Sequence, residues 1–266
     1  MAPAEMHDST LDATLAALYA GHVADAAFVG ALRRRLRAQV APLHGAAVEA
    51  PFGTVYIAWR GRTICSAALA ESHGTFATLV AARCRESPTP APLPPALAGA
   101  IAEALLGRAP FRGPVAFPGL SPFQCAVLEV VRRIPPGQVR SYEWVARHVG
   151  HAAAVRAVGT ALARNPVPFL VPCHRVVRAD WDLGRYSGGA TGLKARLLAL
   201  EGVDVADLAM LRAHGMRLCG SATTRVFCLP TCVAQRRVQP EHVVRFGLAA
   251  EARAAGFRPC KLCRPA

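Results

Sequence analysis

The sequence predicts an α/β unit running into an all-α unit, with a small cysteine-rich module behind them. Three observations carry that reading. Residues 51–69 hold two runs of β-branched and apolar residues on either side of Arg60-Gly61, the pattern of a strand hairpin. Residues 97–200 hold a series of short amphipathic helical patterns separated by Gly and Pro,. Five of the nine cysteines fall in the last 62 residues, where 10 Lys+Arg stand against 3 Asp+Glu.

A chain of 266 residues exceeds most single domains,. The expected division is a helical extension over 1–45, an α/β subdomain over 46–115, a helical subdomain over 116–203 and the cysteine-rich module over 204–266. In the extension, Leu11, Leu15 and Leu18 share one helical face, and Val29, Leu32, Leu36 and Val40 repeat it beyond Gly21,. Arg33, Arg34, Arg35 and Arg37 lie mainly off that stripe, as a solvated side or a DNA-contacting one. After the hairpin, ESPTPAPLPP (86–95) reads as a loop and 97–108 as a helix stopped by Gly,. Residues 121–134 read as a helix with Ser121 as N-cap and Pro122 in its first position,. Two helical patterns, about 141–149 and 153–164, flank a turn at Gly150 and form a helix-turn-helix,. A last helix, with Leu193, Leu197 and Leu198 on its apolar face, ends near Glu201-Gly202.

Charge narrows the function classes. Thirty-one Lys+Arg against 17 Asp+Glu give a net +14, which suggests an anionic partner,. No apolar run is long enough to span a bilayer, and MAPAEMHDST lacks the basic start and apolar stretch of a secretory signal,. A cytoplasmic protein with no membrane partner is expected. Its cysteines are then reduced thiols for chemistry or metal, not a disulfide framework.

One cysteine stands in an unusual setting. VPCHRVV (171–177) places Cys173 between Pro172 and His174 with valines around them. Cysteine reacts as the thiolate, and an imidazole can remove its proton. Neighbouring side chains on an extended strand point to opposite faces, so a turn or a bridging water is needed to join these two. From these residues alone, a packed structural cysteine stays open beside a nucleophile. Cys65, Cys84 and Cys125 have no partner at useful spacing and read as apolar filler,.

The tail carries a clearer metal signal. Cys228-Leu-Pro-Thr-Cys232 and Cys260-Lys-Leu-Cys263 form two close pairs 27 residues apart. Four thiolates so grouped suit tetrahedral zinc, and zinc would hold together a module too small to fold comfortably alone. Cys219 lies outside both pairs. No organic cofactor is expected.

NPVPFLVPCHRVV (165–177) resembles the signature of the O6-alkylguanine-DNA alkyltransferases. SPFQ, IPPGQVRSYEWVA, VRAVGTALARNP, GRYSGG and LKARLLALEG occur in that family's order, so the resemblance covers roughly 48–203. It implies the alkyltransferase fold and a single, irreversible transfer of an alkyl group from O6 of guanine to Cys173. It implies that His174 takes the thiol proton through a water and that Glu201 orients the imidazole. Tyr142 would donate to the guanine, Asn165 would brace the turn before the active-site strand, and Tyr186 and Ser187 would line the base pocket. Arg156 would replace the extruded nucleotide in the duplex, and Arg164 would contact DNA on the same helix. An alkyl group at O6 is hidden in the stack, so the base must be flipped out. One departure is that Ala190 to Leu193 separate Gly189 from Lys194, four residues where the pattern has three.

VFCLPTC and AAEARAAGFRPCKLC resemble the zinc-binding domain of the adaptive-response protein Ada, over roughly 214–265. That resemblance implies repair of methyl phosphotriesters, with Cys228 as a second methyl acceptor beside its role as a zinc ligand. Leu229 stands where the family has an arginine after the first cysteine, and Gln235 stands at a second arginine position, followed by Arg236 and Arg237. The expected partner is alkylated double-stranded DNA, bound by a monomer. A non-catalytic lesion sensor and a methylation-triggered DNA-binding regulator are the alternatives. Too few residues lie between 203 and 214 for the regulator's transcription domain. A Cys-His protease would leave the flanking motifs unexplained.

Overall fold

The structure, a computed structural model, describes residues 41–184, 186 and 192–265. The helical patterns expected over residues 1–40 lie outside the described residues. The unit Pro42–Ala266 carries two four-stranded sheets, and a two-stranded one lies between them in sequence.

The first sheet is built on the predicted hairpin. Strand β1 (Leu43–Ala50) pairs antiparallel with β2 (Gly53–Arg60), and β2 pairs antiparallel with β3 (Thr63–Leu69). β1 begins at Leu43, so residues 43–45 are strand and not the end of a helical extension. Its Ala- and Gly-rich sequence has weak strand propensity; the full ladder with β2 decides its conformation,. Gly45 fits closely there: a Cβ would come 3.1 Å from both the His73 ring and Pro88, which would have to give way slightly,.

Helix α1 (His73–Cys84), which lies outside every element the sequence predicts, starts at Ser72, whose hydroxyl accepts from Thr75 N at 3.2 Å,. It buries Phe76 and Val80, one turn apart, against Leu43, Ala58 and Cys65 on the outer face of the sheet. The stretch 86–95 is not wholly loop. β4 (Thr89–Pro90) adds a short parallel edge to β1, where proline is tolerated because an edge strand leaves donors unpaired,. The sheet order is β3-β2-β1-β4.

Helices then cover the inner face. α2 (Pro95–Leu105) buries Leu97 and Ile101. α3 (Pro122–Arg132) opens with a capping box. Ser121 accepts from Gln124 N at 3.3 Å, and Gln124 Oε1 accepts from Ser121 N at 3.0 Å,. β5 (Arg140–Ser141), α4 (Tyr142–His148) and α5 (Val155–Ala163) come next, with Gly150 in the left-handed region at φ +86° between the two helices. The two helices and the turn at Gly150 stand where the sequence predicts them. β6 (Val176–Val177) pairs parallel with β5, Arg140 beside Val176 and Ser141 beside Val177. One core joins sheet, helices and active-site segment, with Val55, Ile57, Ile101, Leu128, Val158 and Val171 fully buried in it.

α6 (Leu193–Leu200) and α7 (Val205–Ala213) lead into the second four-stranded sheet. Its strands are β7 (Leu218–Ser221), β8 (Val226–Cys228), β9 (Val243–Phe246) and β10 (Arg258–Pro259), in the order β10-β8-β7-β9, with α8 (Ala249–Ala254) before β10. This module shares a core with the helical subdomain. Val139, Val177, Trp181, Leu198 and Val203 are buried in one cluster with Leu211, Phe227, Leu229 and Phe257. Each such side chain contributes about 1.5–3 kcal/mol on full burial, so the module is fastened to the body and does not swing on a linker.

Among the described residues, no helix is long and apolar enough to cross a membrane.

Candidate active site and metal centre

The segment after α5 explains how Cys173 is presented. Asn165 is buried immediately beyond the helix. Its Oδ1 accepts from Val167 N at 3.0 Å, and its Nδ2 donates to the Val171 carbonyl at 2.9 Å and to Cys173 Sγ at 3.3 Å. One amide thus closes the turn and touches the thiol. Cys173–Arg175 form a single 3₁₀ turn, not a strand. The opposite-face geometry of a strand therefore does not apply to Cys173 and His174.

His174 Nε2 lies 2.8 Å from Glu201 Oε1, and both side chains are 3 % exposed. Burial alone would raise the Glu201 carboxyl. The bonds and charges of His174 and Arg175 outweigh it and hold the group at about 2,. An ionised carboxylate only accepts, so Nε2 carries the proton and Nδ1 keeps a lone pair. That Nδ1 is buried and has no hydrogen-bond partner among the described residues. Burial lowers the imidazole pKa against the pull of Glu201, so His174 is neutral and basic at its free nitrogen.

Sequence reasoning assigned no role to Arg175, which is buried behind this pair. Its Nε donates to both Glu201 oxygens at 3.0 and 2.9 Å, and its Nη2 to Oε1 at 2.7 Å. Gly137 N donates to Oε2 at 3.1 Å. Only the position of Arg175 inside the PCHRV motif hinted at this, because the partner lies 26 residues away.

Cys173 sits in the wall of a cavity of about 480 Å³ lined also by Tyr142, Arg156, Gly159, Arg178, Tyr186 and Lys194. Burial raises the thiol pKa, opposed first by the Asn165 amide. A general base is therefore needed to make the thiolate. Tyr142, the first residue of α4, is held protonated by burial and by the Cys173 sulfur. Tyr186 stands edge-on to the His174 ring at 6.5 Å, its hydroxyl also raised by burial. Lys194, despite the extra residue before it, is buried in the same wall. It donates to the Val176 carbonyl at 2.6 Å, and burial lowers it to about 8. Arg156 is exposed on the mouth of the cavity. Arg164 is exposed at the end of α5 and lies outside the cavity lining. Ser187 lies outside the described residues.

The second site is the predicted cysteine set. The sulfurs of Cys228, Cys232, Cys260 and Cys263 lie within 4.8 Å of one another, all buried. Tetrahedral zinc with bonds near 2.3 Å needs sulfurs roughly 3.8 Å apart, so the set fits the ion. Hydrogen bonds from Cys228 and Cys263 drive Cys232 down to about 2 and leave the donors high. The cluster favours a thiolate even before a cation is considered. Cys219 faces Cys228 across the β7–β8 ladder but stays outside the set, its thiol raised by burial to about 11. Leu229 is 8 % exposed and packs in the core shared with the helical subdomain. Where the Ada family carries an arginine, this chain turns the position inward. Cys228 lines a cavity of about 410 Å³ with Thr223, Arg237, His242 and Arg258.

Comparison with known proteins fits both sites. The 6-O-methylguanine DNA methyltransferase, DNA binding domain, matches residues 122–203, and the metal binding domain of Ada matches 211–266. The methylated-DNA–protein-cysteine methyltransferase of Rattus norvegicus is 46% identical over 85 residues, 32% of this chain and 39% of that protein. The constitutive one of Bacillus subtilis is 46% identical over 84 residues, 32% of this chain and 51% of that protein. The chain thus spans about half or less of the length of these curated relatives. The crystal structure of Mycobacterium tuberculosis O6-methylguanine methyltransferase superposes with a TM-score of 0.51 at 30% identity, covering 64% of this chain and 99% of that one. The Mycobacterium tuberculosis OGT in complex with DNA gives a TM-score of 0.50 at 28% identity, covering 62% of this chain and 99% of that one.

Proposed function

The chain belongs to the O6-methylguanine DNA methyltransferase family, and we propose that it repairs alkylated double-stranded DNA by transferring the alkyl group from O6 of guanine to its own Cys173. The observation that carries this is the neutral His174, its Nε2 on Glu201 and its Nδ1 without a partner among the described residues, next in sequence to a thiol in the wall of a cavity of about 480 Å³.

The guanine is flipped out of the stack into the cavity between Tyr142 and Tyr186, with Arg156 at the mouth filling the gap in the duplex. His174 Nδ1 takes the Cys173 proton through a water, and Glu201 stabilises the imidazolium that results. The sulfur then attacks the alkyl carbon. An S–C bond forms, the C–O6 bond breaks, and its electron pair stays on the base. Tyr142 donates a hydrogen bond as that charge develops, and the guanine takes up one proton for the one lost by the thiol. The thioether has no leaving group, so each molecule acts once. Arg164 contributes a phosphate contact, and the +14 charge supports salt-sensitive scanning of duplex DNA,. We place this activity in a cytoplasmic monomer.

Zinc at the four cysteines would keep their sulfurs deprotonated and nucleophilic. The cavity beside Cys228, with Arg237 and Arg258 in its lining, supports a second transfer there, from a methyl phosphotriester of the backbone.

The test is peptide mass mapping of the zinc-loaded protein after incubation with methylated duplex DNA. The expected result is one methyl on Cys173 and one on Cys228. Methyl on Cys173 alone would reduce the tail to a structural or DNA-binding module. Methyl on neither, with DNA binding intact, would sink the transferase reading and leave the lesion sensor.

A further inference from the structure

We propose that the metal-binding module is a working part of the Cys173 site, with Arg236 acting as a positioning residue for the Glu201–His174 pair through the turn at Gly137. The proposal deepens the transferase reading and rests on it.

The connection is a chain of hydrogen bonds. The carbonyl of Cys232, one of the four metal-site cysteines, accepts from Gln235 N at 2.9 Å and Arg236 N at 3.1 Å. That fixes the start of the Arg236 side chain. Its Nη2 donates to the Gly137 carbonyl. Gly137 N donates in turn to Glu201 Oε2 at 3.1 Å, and Glu201 Oε1 bonds His174 Nε2 at 2.8 Å. The two Gly137 bonds flank a single Cα. Holding the carbonyl together with the turn's φ of +72° narrows where the N–H can point,.

The gap admits no side chain. Gly137 has φ +72°, and a Cβ would come within 2.7 Å of both Arg236 Nη2 and the Glu201 main-chain oxygen. The turn is clasped between module and catalytic carboxylate.

Other contacts hold the same segment. Val139 N donates to Thr231 Oγ1 at 2.9 Å, one residue before Cys232. Trp144 Nε1 donates to the carbonyl of Cys263 at 3.0 Å. Residues 137–144 are thus bound at three points to the loops that carry the metal-site thiols. Their far side pairs with β6, which begins three residues after Cys173. Arg140, buried in this segment, bonds Val139 O and Gln138 Oε1. The charges that oppose its burial are the four cysteine sulfurs. Arg236 is an exposed residue whose guanidinium is engaged on the Gly137 carbonyl. Metal that orders the Cys232 loop orders Arg236, and Arg236 holds the turn whose N–H binds Oε2 while Oε1 takes His174 together with Arg175.

The experiment follows the His174 Nε2–H resonance by NMR in the full chain, with and without zinc, in wild type and Arg236→Met. Arg236→Met is expected to shift the resonance and to slow methyl transfer to Cys173 about five- to tenfold, the scale of one hydrogen bond lost from the transition state. Arg236→Lys, which keeps a donor, is expected to recover most of both. Removing zinc from wild type should move the resonance the same way, and removing it from Arg236→Met should move it no further. An unshifted resonance in Arg236→Met, or an equal response to zinc loss in both proteins, overturns the proposal. Because the resonance is read without DNA, failure of methyl transfer in wild type would overturn the transferase reading separately.

Discussion

The two cysteine sites make a thiol reactive in opposite ways. Around Cys173 the protein buries a single sulfur, raises its pKa and supplies a neutral base held by an ionised carboxylate. Around Cys228 it crowds four sulfurs within 4.8 Å, so that a thiolate is favoured by its neighbours and a cation is needed to complete the set. The first design keeps the nucleophile latent until a proton acceptor and a substrate are both in place. The second places the negative charge on Cys232 and leaves Cys228 protonated until a cation completes the set.

The widest separation of the two sites should come from exchanging each nucleophile. Cys173→Ser is expected to abolish transfer from O6-methylguanine, by more than about 10³-fold, since an alcohol lacks the thiolate's nucleophilicity. It should leave labelling of Cys228 unchanged. Cys228→Ser should abolish labelling at residue 228 and leave Cys173 labelled, with at most the roughly five- to tenfold slowing that weakened zinc binding brings through Arg236. Radiolabel transfer from duplexes carrying each lesion checks both. Loss of both labels in either variant would break the comparison.

Glu201→Gln sharpens the difference further, because its carboxylate bonds His174 directly and none of the four metal-site cysteines. The amide cannot stabilise the imidazolium, and transfer to Cys173 should fall about 10²–10⁴-fold, the range of lost acid–base assistance. It also leaves the Arg175 guanidinium buried against a neutral group. Breaking a buried pair typically costs about 3–5 kcal/mol, so the denaturation midpoint should drop as well.

Acid should separate the sites in the same direction. The Glu201 carboxyl is lowered from 4.5 to about 2 in the fold. A group so depressed contributes stability that is present above its unfolded value and is lost as pH falls toward 2. The shift corresponds to about 3 kcal/mol. Burial also lowers His174, so the unfolded chain binds that proton first, and stability again falls with acid below about 6.5,. The rate of transfer to Cys173 should decline as His174 becomes protonated, somewhere below pH 6.5. A pH–rate profile and acid titration of unfolding check the two signs together.

How much of this was legible in the sequence differs between the sites for a physical reason. The four cysteines were readable because metal spacing is local within each pair, and the hairpin and helix-turn-helix were readable because turn residues and periodicity are local too. Arg175 and Gly137 were not, because their roles exist only against Glu201, 26 and 64 residues away. α1 and α7 escaped because their apolar faces are narrow, two buried residues each. β1 escaped because pairing with β2 decided it against its own Ala and Gly. The departure at Leu229 was visible as a mismatch, and its cause appeared only in the shared core.

That departure yields a smaller effect. Leu229→Arg restores the family residue but places a charge in the interface with Trp181 and Val177. The long side chain can carry its guanidinium toward solvent, so the expected loss is about 1–3 kcal/mol, the range for a polar group buried without full compensation. Thermal unfolding reads it. Unchanged stability would mean that the module's packing on the body is looser than its burial implies.

The smallest expected effect belongs to Arg164. It is exposed, lies outside the Cys173 cavity and caps the C-terminus of α5, and the role proposed for it is one phosphate contact. Arg164→Ala should weaken binding to damaged and undamaged duplexes by the same factor and reduce the slope of log K against log salt by about 1. Arg156→Ala, at the mouth of the cavity, should instead weaken the damaged duplex selectively, because its contribution is made only when the base leaves the stack. Binding titrations at several salt concentrations distinguish the two. If both arginines act alike, the mouth of the cavity is an ordinary phosphate clamp, and the selectivity for damage lies in the ease of flipping a poorly paired base.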